Sequence, residues 1–340
     1  MAHPVAIDLL RRLQSLISSI ESSGPWAPLI FTGVFIAASF LMIWRLEVMT
    51  ESGFEGTVLG TLVMPYCSGI GNLIFAFMLG ARRGPGSAVM ENALVNNITN
   101  LTLLIGLPAL IWGMSLTPGG RKKSVVRESH VNRLSLMLTL VAGLFFTGTV
   151  WALGRDGQIS FSDGLVLVGL FLFWQVFHVF EVLKTNVRQN RSFGWMLALD
   201  IILLAMGAVG IYFSTDWLVQ WVSRSDSGFF STRYLGWLSG WLMVLPNALL
   251  ALYYAWRGRP EVVYTSQAGD GHICIPLCLG VYALYQPLQV PALFQEALVL
   301  LAAALILHFV LTMVFKGVPR WLGILLILAY GLFLYKGLPR

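Results

Sequence analysis

The chain has 340 residues, of which 57% are hydrophobic and only 11% charged, and its mean hydropathy is +0.75. A water-soluble globule cannot bury that much apolar surface, a disordered chain needs more charge, and a disulfide scaffold needs more than three cysteines. The composition therefore predicts an integral protein of a lipid bilayer. The net charge of +6 is attributed to arginines and lysines in the loops, which set the orientation of the chain in the membrane. No nucleic-acid partner is expected.

Residues 1–27 precede the first long apolar run. Within them, residues 6–20 form a modest amphipathic pattern that contains Arg11 and Arg12, and no small-residue cleavage pattern follows. A helix lying at the membrane interface is therefore favoured over a cleavable targeting peptide.

Ten apolar runs follow, and each has a length close to the roughly twenty residues that cross a bilayer as a helix. They are 28–44, 55–80, 87–114, 131–153, 163–182, 195–213, 234–256, 263–285, 292–315 and 321–335. We therefore predict an all-α membrane fold of ten spans. A first five-helix repeat at 28–183 is followed by a basic linker at 184–194 and a second five-helix repeat at 195–340.

The basic residues predict the orientation in the membrane. The loops after odd-numbered spans carry 13 of the 22 lysines and arginines, and the other side, termini included, carries 9. Because basic loops stay in the cytoplasm, the linker at 184–194 is expected there and both termini outside. We expect the plasma membrane, or inner membrane, as the location.

An odd number of spans in each half requires the second half to enter the membrane in the opposite direction, as in many transporters with inverted repeats. The two halves show internal similarity. With one extra residue in the first hairpin, Asn72 in the second span matches Asn247 in the seventh, and Asn92 in the third matches Gln267 in the eighth. An Arg-Gly turn lies between the paired spans in both halves.

These hairpins resemble the two alpha-repeats of the sodium/calcium exchanger superfamily, the cation/calcium antiporters. The matching residues are Leu245-Pro246-Asn247 with Trp256-Arg257-Gly258, and Ala81-Arg82-Arg83-Gly84 with Asn92-Ala93-Leu94-Val95-Asn96-Asn97-Ile98-Thr99-Asn100. The resemblance implies a central site near the midplane, formed by spans two, three, seven and eight, with spans one and six sliding across it. It also implies transport of calcium or another cation against Na⁺ or H⁺, without a resident cofactor.

The chain departs from the family pattern at the residues that hold calcium. Where the resemblance implies a glutamate in each hairpin, the sequence has Asn72 and Asn247, and the motif serine is matched by Asn96 and Gly271. Fewer carboxylates predict weaker divalent binding, or a monovalent or protonated substrate. A non-transporting membrane subunit or sensor that kept the fold and lost the charges is the alternative.

Polar residues inside the predicted spans are the candidate site. Asn92, Asn96 and Asn100 are spaced four residues apart, so they share one face of the third span. That face predicts a polar pathway, and interhelical hydrogen bonding is the alternative. Gln267 and Asp270 share a face of the eighth span. Asp270 is the leading carboxylate for ion or proton coupling, with a structural pair to His272 or an arginine as the alternative.

The complete prediction for the site has two parts. The expected ion or substrate ligands are Asn72, Asn247, Asn92, Asn96, Asn100, Gln267 and Asp270, and the residues for proton or charge coupling are Glu91, Asp270 and His272. For Glu91, an interaction with the helix dipole is an equally good explanation. Helix breaks that expose backbone carbonyls to the site are expected at Gly71, Gly236, Gly240 and Pro246.

No other chemistry is predicted. The sequence shows no nucleophile with a nearby base, no metal-ligand cluster and no phosphate loop, so an enzyme and a metal beyond the transported cation are not expected. The expected partners are the lipid bilayer and small inorganic cations. A protein partner or a homo-oligomer is left open.

Overall fold

The computed structural model describes residues 15, 17–51, 58–116, 123–186, 195–225 and 227–339, with side chains for all of these except 50–51, 58–68, 123–132 and 181–186. Most of the predicted N-terminal segment 1–27, and the predicted basic linker 184–194 after its first three residues, therefore lie outside the described residues.

The described residues form twelve α-helices. They are α1 Ala27–Glu51, α2 Val58–Ala81, α3 Gly86–Leu101, α4 Leu103–Trp112, α5 Lys123–Leu153, α6 Phe161–Asn186, α7 Trp195–Ser223, α8 Leu235–Trp256, α9 Pro260–Gly269, α10 Leu279–Ala283, α11 Phe294–Val310 and α12 Arg320–Gly337. Two π-helical segments, Ile273–Cys278 and Leu311–Phe315, continue α9 and α11. Helices dominate because they satisfy every backbone polar group within one apolar segment.

Each of the ten predicted spans contains helix. Eight described helical stretches are long and apolar enough to cross a membrane. The two exceptions are the second span, where the apolar part with described side chains is Gly69–Ala81, and the eighth, which is divided into α9, a π-helical segment and α10. Helices of this length and hydropathy make the chain an integral membrane protein.

The helices pack in a pattern that repeats between the two halves. The pairs related in this way are α1 with α7, α3 with α8, α2 with α10 and the π-helical segment before it, α4 with α12, α6 with α10, and α5 with α11. If each predicted span is replaced by its counterpart in the other half, five positions away, the same set of pairs is obtained.

Two short antiparallel strand pairs are related to each other by the same exchange of spans between the two halves. β1 (Met114–Ser115) after the third span pairs with β4 (Gly317–Val318) between the ninth and tenth, and β3 (Leu288–Gln289) after the eighth pairs with β2 (Gln158–Ile159) between the fourth and fifth. Each strand pair therefore ties the end of one central span to a loop of the other half.

The central helix of the bundle is α3, which approaches α8 unusually closely. Within the stretch Gly86–Trp112, 78% of the apolar 18-residue segment is buried in the protein, compared with 22% of the corresponding segment in Trp195–Ser223. A Cβ added at Gly236 would lie 2.5 Å from the Cβ of Glu91, and one added at Gly240 would lie 2.9 Å from the Cβ of Val95. Glycines four residues apart allow this contact between two membrane helices.

The prediction of helix breaks at Gly71, Gly236, Gly240 and Pro246 was wrong. Helix α2 runs through Gly71, and α8 runs without interruption through the other three residues. The physical reason is that Gly236 and Gly240 serve close helix packing. The central interruptions lie instead at Thr102, between α3 and α4, and at Asp270, where α9 ends.

Pro276 accounts for the irregular helix after Asp270. Proline has no backbone N–H and its ring clashes with the carbonyl four residues earlier, so the α-helical ladder cannot continue. The chain forms the π-helical segment Ile273–Cys278 around it, and such segments are frequent at functional sites.

Helices α1 and α7 form a pair on the outside of the bundle. Arg45 Nη1 of α1 lies 3.2 Å from Asp200 Oδ1 of α7, and both side chains are nearly buried. Farther along the contact, a Cβ added at Gly207 would lie 2.4 Å from the side chain of Met42. The two helices are therefore held to each other by a buried ion pair and by close packing.

Candidate cation-binding site

Five buried polar side chains from both halves form one hydrogen-bonded chain, which we term the Asn–Asp network: Asn72, Asn96, Asn100, Asn247 and Asp270. Asn96 Nδ2 donates to Asn72 Oδ1 at 3.1 Å, and Asn100 Nδ2 donates to Asn96 Oδ1 at 2.8 Å. Asp270 Oδ2 accepts from Asn100 Nδ2 at 2.9 Å and from Asn247 Nδ2 at 3.5 Å. The network joins α2, α3, α8 and the end of α9.

The carboxylate of Asp270 sets the direction of the amides. When Asp270 is ionised, its carboxylate only accepts hydrogen bonds, so Asn100 turns its N–H groups toward Asp270 and toward Asn96 Oδ1. Asn96 is then left to donate to Asn72. Because hydrogen bonds in a chain polarise one another, one buried charge orients the three asparagines of the first half.

Three buried oxygens beside this network accept no hydrogen bond from any residue that the structure describes. They are Asn100 Oδ1, Gln267 Oε1 and Asp270 Oδ1. An unsatisfied buried polar group costs about 1–3 kcal/mol, so such atoms are expected to have a partner that the protein itself does not supply. Carboxylate and amide oxygens are the ligands that hard cations prefer. The chemistry of these three oxygens therefore suits a hard cation.

The two halves contribute equivalent contacts to the network. Asn72 bonds with Asn96 in the first half as Asn247 bonds with Asp270 in the second. One turn farther along, Asn100 donates back to Asn96, and Cys274 Sγ donates back to Asp270 Oδ2 at 3.9 Å.

By these contacts, Asn96 in the first half corresponds to Asp270 in the second half. The sequence comparison instead matched Asn96 with Gly271, one residue later. The shift arises because the extra residue of the first hairpin lies before Asn96: the two bonded asparagines are 24 positions apart in the first half, and Asn247 and Asp270 are 23 apart. The carboxylate therefore occupies the place that Asn96 holds in the other half.

A small cavity with a volume of about 20 Å³ lies next to the network. Its lining includes Asn72 and Asn247, together with Ser39 of α1 and Ile211 of α7. A volume of this size holds one water molecule or ion. The cavity is therefore bordered both by the α1–α7 pair and by asparagines of the two halves.

The remaining predicted site residues are buried or partly buried, but lie outside the network. Asn92 Nδ2 donates to Ser239 Oγ of α8 at 3.1 Å, so it links two helices. Glu91 lies against Gly236. His272 Nε2 donates to the backbone carbonyl of Thr139 at 2.8 Å, so its ring faces α5. Gln267 is buried one helical turn before Asp270, and its Oε1 accepts no hydrogen bond from the described residues.

Asn97 and Gly271 form a contact that sequence reasoning missed. Asn97 Nδ2 donates to Ala93 O at 2.7 Å, and a Cβ added at Gly271 would lie 2.7 Å from Asn97 Oδ1. Glycine after Asp270 therefore lets α3 approach the interrupted helix. The glycines that flank Asp270 in the sequence were a signal for this close approach.

A second missed contact is centred on His308 of α11. His308 Nε2 donates to Leu101 O at 2.6 Å, which leaves Nδ1 of the neutral ring to accept from Tyr264 OH at 2.6 Å. This fully buried chain joins α11, α9 and the end of α3. No sequence pattern relates these residues, which are 44 and 207 positions apart.

Comparisons with known proteins agree with this architecture. The sequence profile of the family described as sodium/calcium exchanger protein matches residues 23–180 and 199–336. No curated protein sequence matches the chain significantly.

Solved structures of the sodium-calcium exchanger NCX_Mj have a similar fold. The structure soaked with 2.5 mM Na⁺ and 10 mM Sr²⁺ gives a TM-score of 0.63 at 19% identity, over 91% of this chain and 96% of that chain. The structures soaked with 2.5 mM Na⁺ and 1 mM Sr²⁺ and with zero Na⁺ and Ca²⁺ give TM-scores of 0.62 and 0.61, at the same identity and coverage.

The profile covers both predicted repeats and most of the chain, which confirms the resemblance drawn from the two hairpins. The chain belongs to the sodium/calcium exchanger protein family.

Proposed function

We propose that this chain is a secondary active transporter that moves a cation, calcium or another, against Na⁺ or H⁺ by alternating access. Its family supports a cation antiporter. The observation that carries the proposal is the set of three unpartnered buried oxygens beside the Asn–Asp network, where side chains of both halves meet. A cation bound there contacts both halves at once.

Ten spans in two inverted five-helix repeats are part of the proposal. The helix pairs and the two strand pairs each map onto themselves when spans are exchanged five positions apart. The paired contacts of Asn72 with Asn96 and of Asn247 with Asp270 follow the same relation. Inverted repeats with a site at their interface are the usual plan for alternating access.

The moving part in this proposal is the α1–α7 pair. It covers the small cavity beside Asn72 and Asn247, and the Arg45–Asp200 ion pair holds the two helices together. Sliding of this pair past α2 and α8 would open the cavity toward one membrane surface or the other. The cytoplasmic location of the 184–194 linker remains part of this proposal.

The proposed roles differ among the predicted site residues. Asn100, Gln267 and Asp270 supply oxygens to the ion, and Asp270 also supplies the coupling charge. Asn72, Asn96 and Asn247 orient the network and line the approach to it.

Three predicted residues take roles outside the ligand set. Asn92 is a link between helices through Ser239. Glu91 is nine residues before Asn100 on one helix, about 13 Å along the axis, so it would act on an ion approaching the site. His272 would affect coupling through its contacts with Thr139 of α5 and Trp174 of α6.

The alternative, a membrane subunit or sensor that kept the fold without transport, does not account for the unpartnered oxygens. Without a bound ion, Asn100 Oδ1, Gln267 Oε1 and Asp270 Oδ1 stay buried without donors from the described residues, at an energetic cost. The two possibilities differ in one property, which is ion flux through the purified protein.

The test is tracer uptake into proteoliposomes that contain the purified chain. Uptake of a calcium tracer and of a sodium tracer is measured under three conditions. These are an outward Na⁺ gradient, an outward H⁺ gradient and no gradient. The Asp270→Asn variant removes the charge at nearly constant volume. The matched control is Glu261→Gln, because Glu261 is an exposed carboxylate that pairs with Arg259 at 3.7 Å outside the site.

We expect gradient-dependent uptake in the unmodified chain and in Glu261→Gln, and loss of uptake in Asp270→Asn. Absence of flux for every cation under both gradients would support the non-transporting subunit. Unchanged uptake in Asp270→Asn would remove the role assigned to this carboxylate.

A further inference from the structure

The acidic residues of the helices in the four central spans can be counted from the sequence; Glu55, at the start of the second span, lies outside the described residues. Helices α2 and α8, which carry Asn72 and Asn247, contain no aspartate or glutamate. Helix α3 contains one acidic residue, Glu91, and the eighth span with its preceding turn contains two, Glu261 and Asp270.

Only one of these three carboxylates belongs to the Asn–Asp network. Glu261 lies at the start of α9, where its side chain is 44% exposed and pairs with Arg259. Glu91 lies about 13 Å along the helix axis from Asn100. The network therefore holds Asp270 and neutral amides, and its total charge is −1 when Asp270 is ionised.

A charge of −1 balances one monovalent cation in a buried site. A divalent ion at the same place would leave a positive charge without a counterion away from water, which is strongly unfavourable. Calcium sites in proteins use six to eight oxygens, and their affinity is tuned by the number of charged ligands among them. The three free oxygens here include a single carboxylate.

The cavity supports the same conclusion. It lies beside Asn72 and Asn247, the positions at which the family resemblance implies glutamates. Both asparagines are accounted for by other contacts: Asn72 Oδ1 accepts from Asn96, and Asn247 Nδ2 donates to Asp270. The two residues thus serve to hold the network in place without adding charge.

We propose that the ion bound at the Asn–Asp network is a monovalent alkali cation, Na⁺ or a close chemical relative, and that Ca²⁺ is excluded because the site has one carboxylate where divalent binding needs more. This inference rests on the proposed function, since it names the substrate class of the same site.

The experiment is tracer counterflow in proteoliposomes loaded with the unlabelled form of each ion. Na⁺, Li⁺, K⁺ and Ca²⁺ are tested separately as the competing unlabelled ion, with sodium or calcium as the tracer. A double variant, Asn72→Glu with Asn247→Glu, adds two carboxylates beside the cavity. The matched control is Asn72→Gln with Asn247→Gln, which adds the same length without charge.

We expect sodium counterflow and no calcium counterflow in the unmodified chain. In the double glutamate variant, calcium counterflow should exceed that of the glutamine control by about tenfold or more, because calcium affinity rises with the charge of the ligands. The comparison of Na⁺ with Ca²⁺ in the unmodified chain tests the inference even when the double variant does not fold.

The outcomes separate the inference from the proposed function. Calcium counterflow in the unmodified chain would overturn the monovalent assignment and leave the antiporter in place. No counterflow of any cation would overturn both. Among the alkali ions, the one that competes best identifies the substrate.

Discussion

The buried ion pair between Arg45 and Asp200 predicts a large and specific loss of stability. The charges are 3.2 Å apart, and the side chains are only 11% and 12% exposed. At an effective dielectric constant of about 20, charges at this distance attract by about 5 kcal/mol. Removal of Asp200 leaves Arg45 charged, desolvated and without its partner, which in buried pairs costs about 3–5 kcal/mol.

We expect Asp200→Asn to destabilise the protein by about 3 kcal/mol, near the lower limit, because the arginine side chain can extend toward water near the end of α1. The assay is thermal unfolding in detergent, where the loss should appear as a decrease of roughly 5 °C in the midpoint. The full cycle adds Arg45→Met and the double variant. A coupling energy of about 2 kcal/mol is expected between the two sites.

The control is an ion pair whose arginine is exposed. Arg82 contacts Asp216 at 2.5 Å, but its side chain is 47% exposed, so Arg82→Ala should cost less than about 1 kcal/mol. Additive effects of Arg45→Met and Asp200→Asn, or a loss no larger than that of the Arg82 variant, would refute the idea that the ion pair joins α1 to α7.

Three further variants test the packing and the buried hydrogen bonds. Gly240→Val should greatly reduce the yield of folded protein, because its Cβ would lie 2.9 Å from a side chain of α3, whereas Gly269→Ala, with no atom within 4 Å, should leave the yield unchanged. His308→Phe should lower thermal stability by about 2–3 kcal/mol, more than Tyr264→Phe, since it removes the partner of both a buried hydroxyl and a buried carbonyl; equal losses would contradict this order. Gly317→Ala should also lower the unfolding midpoint, because the backbone there has φ +150° and an added Cβ would lie 2.1 Å from the backbone oxygen of Met114. An unchanged midpoint would contradict the strand pairing.

The sequence predicted the helices, and it singled out the residues that form the Asn–Asp network, because both depend on local patterns. Apolar runs of membrane length define the spans, and the spacing of Asn96 and Asn100 places them on one helix face. The repeat between Asn72 and Asn247 then predicted that the two halves contribute to one region. In the structure, hydrogen bonds link all four of these residues to Asp270.

Features that depend on contacts between distant segments could not be predicted in this way. The partners Arg45 and Asp200 are 155 positions apart, and neither lies in a recognisable motif. Gly236 and Gly240 could equally have marked a helix break, and only the position of α3 against α8 decides that they allow close packing. Similarly, the match of Asn96 with Asp270 depends on a single extra residue in a hairpin.

The most direct test of the central claim is to locate the bound cation. Crystals of the chain grown with thallium(I), a monovalent cation with strong anomalous scattering, would show its position without relying on transport. The account predicts an anomalous peak within coordination distance of Asn100 Oδ1, Gln267 Oε1 and Asp270 Oδ1, and its loss in Asp270→Asn. Well-ordered thallium elsewhere in the membrane region, with none beside Asp270, would contradict it.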